Sequence, residues 1–330
     1  MVAKRSNVSW IIDGKRMDNV IVVDWGTSHL RAYLCQLSSD HQLHLIDTKF
    51  GLGVTKCQQK FESELFSCID PWLNQFGQLP IQITGQIGST IGWKETTYLS
   101  CPVSPDNIAN SCLTFTCRKS VISIVPGVSC ELEDELHDVM RGEELQVLGW
   151  LNLNLQNRRG KHLICLPGTH TKWVLVDNGK IMLFKTAITG ELFDLLNNQS
   201  VLIQTPNTEH NEDAFKRGAK YTLDSKLGNF SHGIFSVRSN QLFGKLSQEE
   251  ASSYLSGLLI GSDVRAAINA TEWDIFSLNN VIIIGAPQLS NCFSTALSMQ
   301  NISSIICNAE ATIISGFSKL NQSFLSLEKL

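Results

Sequence analysis

The sequence predicts an α/β protein built from two related domains, and three observations support this. A chain of 330 residues is long enough to form two separate hydrophobic cores. Predicted strands alternate with predicted helices along the chain, as in the α/β class. One short pattern also occurs twice, as VIVVD-WGTS-HLRAYL near the start and as HLICL-PGTH-TKWVLV in the middle. An apolar run, a glycine-containing turn and an alternating run are typical of a β-hairpin.

Composition and charge narrow the class of protein further. The sequence is 43% hydrophobic and 18% charged with a net charge of −4, so it lacks the basic excess expected of a nucleic-acid-binding protein. No apolar run approaches the roughly 20 residues that span a bilayer, and residues 1–19 lack the apolar core of a secretory signal. The ten cysteines are scattered without a C-x-x-C pair, which favours reduced thiols over a zinc site. We therefore expect a cytoplasmic protein without a membrane or nucleic-acid partner, and we interpret residues 1–19 as an extension.

The first predicted domain covers residues 20–155. Apolar and alternating runs predict strands, which lie at 20–24, 29–37 and 42–50 and in the segments PIQITG and VISIVPG. Apolar residues at helical spacing predict a helix that Pro71 bends or restarts: Phe61, Leu65, Phe66 and Ile69. A leucine stripe predicts a second helix over about 142–155. Residues 96–120, rich in Ser, Thr, Cys and Pro, favour no particular element.

The polar stretch NLQNRRGK separates the first domain from a second, over residues 160–330. In the second domain the strand–turn–strand pattern restarts, and the turn DNG at 177–179 leads to a third strand, KIMLFKTA. The capping box SQEE predicts a long helix that begins at Ser247. The chain ends with a buried type of strand, VIIIG, followed by the turn GAPQLS, a helix and a serine-rich tail.

The two repeated turns are candidate phosphate sites. Glycine lets backbone N–H groups come close to a ligand, and threonine hydroxyls and lysine are suitable phosphate donors. The candidates are Gly26 and Thr27 in the first turn and Gly168, Thr169, His170 and Lys172 at the second. Two such hairpins could hold one polyphosphate from both sides, which predicts an ATP-using enzyme. Lys172 could equally be a solvated strand residue.

Asp24 ends the first strand immediately before its turn. A carboxylate there could hold a hydrated Mg²⁺ beside the β- and γ-phosphates, and the alternative is an aspartate that caps the hairpin turn. The second copy of the turn and the later GAPQLS turn favour the phosphate interpretation. In that later turn, Gly285 and Ala286 could pass close beneath an adenine.

A second group of candidate residues lies in the segment VMRGEE, at the start of the predicted helix. Glu143 or Glu144 could be a general base that takes a proton from an attacking hydroxyl, or both could only complement the helix dipole. Arg141 could pair with a carboxylate of a substrate. The loop GQIGSTIGW could bind a sugar or be a structural glycine-rich loop. The sequence contains no G-x-S-x-G, H-E-x-x-H or Walker-type motif, which argues against a serine hydrolase, a zincin and a P-loop kinase.

Six segments together resemble a known family. In order over about residues 20–317, VDWGTSHLRAYL, GQIGSTIGW, VMRGEELQVLGW, LPGTHTKWV, TGELFDLL and LSGLLIG resemble the 2-dehydro-3-deoxygalactonokinases. The resemblance implies two ribonuclease-H-like domains around an interdomain cleft, the fold of the actin-like ATPases and sugar kinases. It also implies a kinase of galactonate catabolism that uses ATP and Mg²⁺ to phosphorylate the 6-hydroxyl of the sugar acid 2-dehydro-3-deoxy-D-galactonate.

The resemblance implies roles for individual residues as well. The two phosphate motifs would contain Asp24, Gly26 and Thr27 in the first and Gly168, Thr169 and His170 in the second. Gly285 and Ala286 would lie near the adenosine motif, and Glu143 or Glu144 would be the base. The expected residues of the sugar-acid pocket are Arg31, Ser89, Trp93, Arg141 and Glu191. His29 departs from the family, which usually has Asn there, and the tail NAEATIISG lacks the usual Gly-Asp pair.

Two other functions are compatible with parts of the sequence. A polyphosphate or guanosine-polyphosphate hydrolase of the same superfamily would use water as the nucleophile and would not depend on a sugar acid. A non-catalytic sugar-responsive regulator or actin-like assembly protein would not need both glutamates, and residues 1–19 are too short for the DNA-binding module of a regulator. The kinase is therefore favoured. The sequence leaves a homodimer open.

Overall fold

The computed structural model describes residues 11–12, 15–16, 18–224 and 230–327, so most of the predicted extension lies outside the described residues. The chain divides by its internal contacts into two compact units. Unit 1 contains Met1–Gly160, Asp177–Leu183 and Ala309–Leu330, and unit 2 contains Lys161–Val176 and Phe184–Asn308.

Strands and helices alternate along the described chain, which confirms a mixed α/β fold. The strands are β1 (Ile11–Ile12), β2 (Lys15–Arg16), β3 (Asn19–Trp25), β4 (His29–Leu37), β5 (Leu43–Leu52), β6 (Ile81–Gly85), β7 (Tyr98–Ser100), β8 (Leu113–Cys117), β9 (Ser120–Ile124), β10 (Gly127–Glu131), β11 (His137–Met140), β12 (Lys161–Leu166), β13 (Thr171–Asp177), β14 (Lys180–Ala187), β15 (Val281–Gly285) and β16 (Ser304–Asn308). The helices are α1 (Phe61–Phe76), α2 (Pro105–Asn110), α3 (Glu143–Leu153), α4 (Thr189–Gln199), α5 (Glu212–Leu223), α6 (Phe230–Gly233), α7 (Ser236–Leu242), α8 (Ala251–Ile268), α9 (Pro287–Ser298) and α10 (Ala309–Leu327).

A six-stranded mixed sheet forms the centre of unit 1, in the order β5-β4-β3-β6-β9-β8. β3 pairs with β4 in the antiparallel sense on one side and with β6 in the parallel sense on the other. The three strands predicted first in the sequence therefore correspond to β3, β4 and β5. The arrangement brings the carboxyl ends of β3 and β6 to the same edge of the sheet, where Asp24 is the register partner of Thr84.

Helix α1 covers one face of this sheet. Its buried residues belong to the same hydrophobic cluster as the inward-facing residues of β3, β4 and β6, and they are Phe61, Leu65, Phe66, Ile69 and Trp72. Pro71 lies inside this single helix and does not restart it. The predicted helical spacing is thus confirmed, because every residue of the predicted apolar stripe is buried.

The strand predicted for VISIVPG is wrong in its extent. The structure divides that segment between β9, in the six-stranded sheet, and the start of β10, in a separate three-stranded sheet of the order β11-β10-β7. Pro126 lies between the two strands, and proline has no N–H group to donate to a sheet. The segment 96–120, which favoured no element, contains β7, α2 and β8.

Helix α10 packs closely against α3 within unit 1. A Cβ atom on Gly149 would lie 1.7 Å from the carbonyl oxygen of Thr312, and one on Gly316 would lie 2.1 Å from that of Leu145. These glycines let the two helix backbones touch. Because of this contact, the internal contacts group residues 309–330 with unit 1, whereas the sequence suggested one domain over 160–330. The predicted domain boundaries stay predictions.

The main sheet of unit 2 is five-stranded, in the order β14-β13-β12-β15-β16, and the internal contacts group the first part of β14, residues 180–183, with unit 1. β12, β15 and β16 are parallel to one another, while β12 and β13 are neighbours joined by the PGTH turn. Asn178 and Gly179 both have positive φ, as the predicted two-residue hairpin turn requires. Helix α8 packs against α4 and α5, and most of its apolar residues are buried.

The long helix predicted from Ser247 begins later than expected. The reciprocal capping-box bonds do form, since the Ser247 N–H donates to Glu250 and the Glu250 N–H donates to the Ser247 hydroxyl. They close a separate turn, however, and α8 begins at Ala251. In the described part of the chain, no helix is long and apolar enough to cross a membrane.

The glycine contact between α3 and α10 gives a prediction about stability. Gly149→Ala should lower the free energy of unfolding by about 3 kcal/mol or more, because the added methyl group overlaps the Thr312 carbonyl. Urea unfolding followed by circular dichroism measures this, with Gln322→Ala on α10 as a control expected within about 0.5 kcal/mol of wild type. Equal stability of Gly149→Ala and wild type would contradict the close helix contact.

Candidate active site

The first turn, residues 25–28, connects β3 to β4 and is supported by a later segment. The Gly26 N–H donates to the His29 carbonyl at 2.9 Å, and the N–H of Val54 donates to the Gly26 carbonyl at 3.1 Å. The Thr55 hydroxyl and N–H both donate to the Thr27 carbonyl. A Cβ on Gly53 would lie 2.3 Å from the Thr27 carbonyl oxygen. Gly53 is thus a residue of the turn's support that the sequence analysis missed.

Asp24 lies at the end of β3, at the edge of the turn. Its Oδ2 atom is 3.3 Å from Nη1 of Arg31, and both side chains are partly exposed. Burial raises the pKa of the Asp24 carboxyl above its ordinary value, and Arg31 opposes this shift. Arg31, which we expected in the sugar-acid pocket, is therefore an ion-pair partner of the expected metal ligand.

The donor set at Asp24 fits a hydrated Mg²⁺ ion. Magnesium prefers oxygen ligands and usually keeps several waters, so one carboxylate is a sufficient protein ligand beside phosphate oxygens. Within the described ranges, no cluster of three or more His, Cys, Asp or Glu side chains could enclose a metal ion. An ion at Asp24 would therefore be held mainly by waters and by its nucleotide.

The two glutamates at the start of α3 lie in different environments. Glu143 is partly exposed, and its Oε2 atom accepts a hydrogen bond from the Arg141 N–H. Glu144 is fully buried, and its carboxylate accepts hydrogen bonds from the Thr84 hydroxyl and the Gly142 N–H. Burial, with a smaller contribution from Glu143, raises the pKa of Glu144 to about 8. Only Glu143 is in a position to contact a ligand without rearrangement.

Backbone contacts at two glycines bring this helix start to the sheet edge. Gly85, at φ +97°, ends β6, and a Cβ there would lie 2.6 Å from the Trp25 carbonyl oxygen. Gly142, at φ +114°, lies against Gly85: a Cβ added to Gly142 would be 3.3 Å from the Cα of Gly85. The ends of β3 and β6 and the start of α3 consequently meet. Thr84, the link between the sheet edge and Glu144, was not found from the sequence.

Arg141 is a buried cation without a carboxylate partner in the described part of the chain. Its guanidinium donates to the hydroxyl and the carbonyl of Thr96 and lies 4.4 Å from the ring centroid of Tyr98. The side chain is only 5% exposed, and its buried Nε atom has no hydrogen-bond partner among these residues. A buried, incompletely satisfied guanidinium is suited to an anionic ligand group.

The glycine-rich loop at 85–93 folds back on itself. The Ser89 hydroxyl donates to the Gln86 carbonyl, and the Trp93 N–H donates to the Ile87 carbonyl. The Trp93 ring packs edge-on against Phe115 at 5.3 Å. The loop also holds the Thr96 that binds Arg141, through the Gly88 carbonyl. This packing gives Trp93 a structural contact, and sugar contacts by Ser89 and Trp93 stay predictions.

The second turn, residues 167–170, lies beside a cavity of about 550 Å³ in unit 2, a size typical of small-molecule sites. Gly168 and Thr169 line it, together with Thr189 and Gly190 at the start of α4. Apolar and polar side chains complete the wall, among them Phe193, Leu259, Phe293, Asn197, Asn207 and Ser256. An apolar pocket that ends in a glycine–threonine turn and a helix N-terminus can hold an aromatic base at one side and an anion at the other.

The remaining predicted residues of unit 2 lie at different distances from this cavity. Ala286 lines it, and Gly285 lies close to Pro167 of the second turn. Nε2 of His170 is 2.6 Å from the carboxylate of Glu191, so Glu191 lies beside the second turn. Lys172 is buried and its ammonium donates to the Thr186 hydroxyl; it does not line the cavity, which Thr171 does.

The fold is mixed α/β with a glycine–threonine turn in each unit, and comparisons with known proteins identify the family of this chain. The model of the 2-keto-3-deoxy-galactonokinase family matches residues 24–320. A 2-dehydro-3-deoxygalactonokinase of Escherichia coli (strain K12) is 36% identical over 246 residues, 74% of this chain and 78% of that protein. A proposed 2-dehydro-3-deoxygalactonokinase of Rhizobium meliloti (strain 1021) is 30% identical over 303 residues, 90% of this chain and 94% of that protein.

A solved structure agrees with these relatives. The crystal structure of a proposed 2-dehydro-3-deoxygalactonokinase from Sinorhizobium meliloti has a TM-score of 0.79 and 28% identity, and the match covers 94% of this chain and all of that one. The chain therefore belongs to the 2-keto-3-deoxy-galactonokinase family. The family predicted from the sequence is confirmed, and with it the prediction of a sugar kinase.

The raised pKa of Glu144 predicts a pH-dependent stability. The folded protein keeps this proton up to about pH 8, whereas the unfolded chain releases it near pH 4.5, so wild type loses stability as the pH rises between these values. Glu144→Gln is neutral at every pH. Its free energy of unfolding relative to wild type should rise by about 2 kcal/mol or more from pH 5 to pH 8.

Urea unfolding at the two pH values measures this difference. Glu131→Gln, at an exposed position of the same unit, should leave the pH dependence of wild type unchanged. If the free energies of unfolding of Glu144→Gln and wild type changed in parallel with rising pH, the predicted cost of ionising the buried Glu144 would be contradicted.

Proposed function

We propose that this protein transfers the γ-phosphoryl group of ATP to the 6-hydroxyl of 2-dehydro-3-deoxy-D-galactonate, with Mg²⁺ as the metal ion. One observation carries the proposal beyond family membership. The start of α3 presents a partly exposed carboxylate, Glu143, two residues from a buried guanidinium, Arg141, that has no acidic partner among the described residues. A base and an anion site this close suit a hydroxylated acid as the acceptor substrate.

Arg141 is proposed to bind the carboxylate of the sugar acid. Thr96 and Tyr98 hold the guanidinium in place, and they supply no negative charge that would compete with a substrate. An arginine whose planar group is already oriented loses little conformational freedom when it binds a carboxylate. The Nε–H is buried without a partner among the described residues, so a carboxylate that reached it would satisfy that donor.

Glu143 is proposed as the general base and Glu144 as its structural neighbour. Glu143 is the more accessible of the two, and a base must come within hydrogen-bond reach of the attacking hydroxyl. Glu144 has both carboxylate oxygens engaged and a pKa near 8, so it is largely protonated at neutral pH. The hydrogen bond that the Gly142 N–H donates to Glu144 fixes the backbone next to Glu143.

Unit 2 is proposed to bind the nucleotide. The cavity beside the second turn would take the adenosine, near Gly285 and Ala286, while the Gly168 and Thr169 backbone and the His170 side chain would contact the phosphates. Asp24, with the turn at Gly26 and Thr27, would serve the metal and the phosphates from unit 1. When bound, Mg²⁺ neutralises the charge of the phosphate oxygens.

Other predictions from the sequence belong to this proposal. They are the ribonuclease-H-like form of the two domains, the cleft between them, a cytoplasmic location, a homodimer, and sugar-acid contacts by Arg31, Ser89, Trp93 and Glu191. A polyphosphate or guanosine-polyphosphate hydrolase is the alternative. Such an enzyme would use water as the nucleophile and would not depend on a sugar acid.

The proposal is tested by ADP release from Mg·ATP with and without 2-dehydro-3-deoxygalactonate, and with its gluconate epimer. We expect strong stimulation by the galactonate compound, because the acceptor hydroxyl and not water is the nucleophile. Equal ADP release with and without either sugar acid would indicate a hydrolase. ADP release stimulated only by the gluconate epimer would mean that the enzyme is a sugar-acid kinase specific for that epimer and not for the galactonate compound.

Substitutions at the carboxylates test their roles in that assay. Glu143→Gln should lower kcat by about 10²-fold or more, with nucleotide affinity within about threefold of wild type. Glu144→Gln is the matched control and should keep most of the activity, while Asp24→Asn should abolish turnover. An active Glu143→Gln beside an inactive Glu144→Gln would transfer the role of base to Glu144. Near-normal turnover of Asp24→Asn would contradict the metal assignment.

Arg141 is tested through the Michaelis constants of the two substrates. Arg141→Gln should raise KM for the sugar acid by about 10- to 100-fold and leave KM for ATP nearly unchanged, because it removes a charged hydrogen-bond donor of one substrate only. Arg118→Gln, which removes an exposed arginine from the same unit, is the control. A rise in both KM values together would mean that Arg141 supports the fold and does not bind the sugar acid.

A further inference from the structure

A buried aspartate on α8 lies behind the wall of the nucleotide cavity. Asp263 is only 6% exposed, and its two carboxylate oxygens accept hydrogen bonds from Trp173 Nε1 at 2.9 Å and from the Thr189 hydroxyl at 2.5 Å. In the ranges that the structure describes, no Lys, Arg or His lies within ion-pair distance of it. The function proposed above assigns no role to this carboxylate.

The hydrogen bond to Asp263 fixes the direction of the Thr189 hydroxyl. A threonine hydroxyl has one proton to donate and two lone pairs. Because Thr189 donates its proton to Asp263, it can offer the cavity only lone pairs. Thr189 lines that cavity, at the first position of α4.

Thr171 lines the same cavity beside the second turn. Its buried Oγ1 atom makes no well-formed hydrogen bond to any residue that the structure describes. A buried hydroxyl without a partner is rare in folded proteins and is suited to a group of the ligand.

The Thr189 hydroxyl, whose proton is donated to the carboxylate behind it, therefore makes one part of the cavity wall an acceptor surface. Such a surface repels phosphate oxygens, which are also acceptors, and attracts O–H donors. The complex of ATP with a divalent cation has two kinds of O–H donor, the waters on the cation and the hydroxyls of the ribose. Both present the same chemistry to the wall.

We propose that Asp263 is a positioning residue that holds Thr189 as a hydrogen-bond acceptor for an O–H donor of the bound nucleotide complex. This inference rests on the nucleotide site proposed for unit 2, and it adds the residue that sets the polarity of that site. Asp263 does not touch the ligand itself and acts through the Thr189 hydroxyl.

The test is ADP binding, measured by calorimetry with Mg²⁺ and with EDTA, and repeated with 2′-deoxy-ADP and 2′,3′-dideoxy-ADP. Asp263→Asn presents an amide N–H to Thr189, so the threonine proton turns toward the cavity. The variant should bind Mg·ADP about tenfold more weakly than wild type, the effect of losing one strong hydrogen bond. Thr189→Val should show the same loss, and Thr189→Ser should restore binding.

The pattern across ligands identifies the donor. If the donor is a water on the cation, the loss in Asp263→Asn occurs with Mg²⁺ and vanishes with EDTA. If the donor is a ribose hydroxyl, the loss persists with EDTA and vanishes with the deoxy nucleotides. Either pattern supports the proposal. Asp194→Asn, an exposed charge change on α4, should leave every affinity unchanged.

Two results would overturn the proposal. One is wild-type affinity of Asp263→Asn for all ligands. The other is an equal loss for every ligand with and without Mg²⁺, which a purely structural role would produce. Both results are measured on ADP binding and do not depend on the acceptor substrate. A wild-type protein that binds ADP but does not phosphorylate the sugar acid would contradict only the proposed function. If Asp263→Asn fails to fold, Thr189→Val and Thr189→Ser alone decide between these outcomes.

Discussion

The close approach of backbone at Gly85 is the constraint on which the candidate site of unit 1 depends. Gly85 ends β6 against the Trp25 carbonyl, and Gly142 lies against Gly85 in turn. Both glycines have positive φ, a backbone conformation that is strained for residues with a side chain. Without a side chain between them, two strand ends and the start of α3 meet. The metal ligand candidate Asp24 and the base candidate Glu143 thereby belong to adjoining pieces of backbone.

The proposals above depend on three of the buried ionisable side chains. Arg141, Glu144 and Asp263 are each nearly inaccessible, and none has an ion-pair partner among the described residues. Burying such groups opposes folding, because each loses its hydration and gains only neutral hydrogen bonds. Burial raises the pKa of Glu144 to about 8 and that of Asp263 to about 6. In the proposals above, Arg141 binds the substrate carboxylate, Glu144 fixes the backbone beside Glu143, and Asp263 orients the Thr189 hydroxyl.

The parts of the site that the sequence predicted are those carried by short local motifs. The two turns, Asp24 and the segment from Arg141 to Glu144 each occupy a few consecutive residues, so their spacing is visible in the sequence. The missed residues act on partners far along the chain. Thr84 binds Glu144 across 60 positions, and Asp263 binds Trp173 across 90. Nothing in the local pattern around GLGVT, QITG or GSDVR marks these contacts.

The sequence by itself determined the family, the mixed α/β class, the hairpins at both turns and the glutamates of α3, because hydrophobic periodicity and turn chemistry are local properties. The tertiary structure decided which glutamate is buried, since packing against Thr84 and the sheet edge desolvates Glu144 and leaves Glu143 accessible. It also decided that Glu191 lies at His170 and that the last helix joins unit 1 through its contact with α3. These outcomes depend on which segments, distant in sequence, can come into backbone contact. Glycines allow that contact because they have no side chain to keep the two backbones apart.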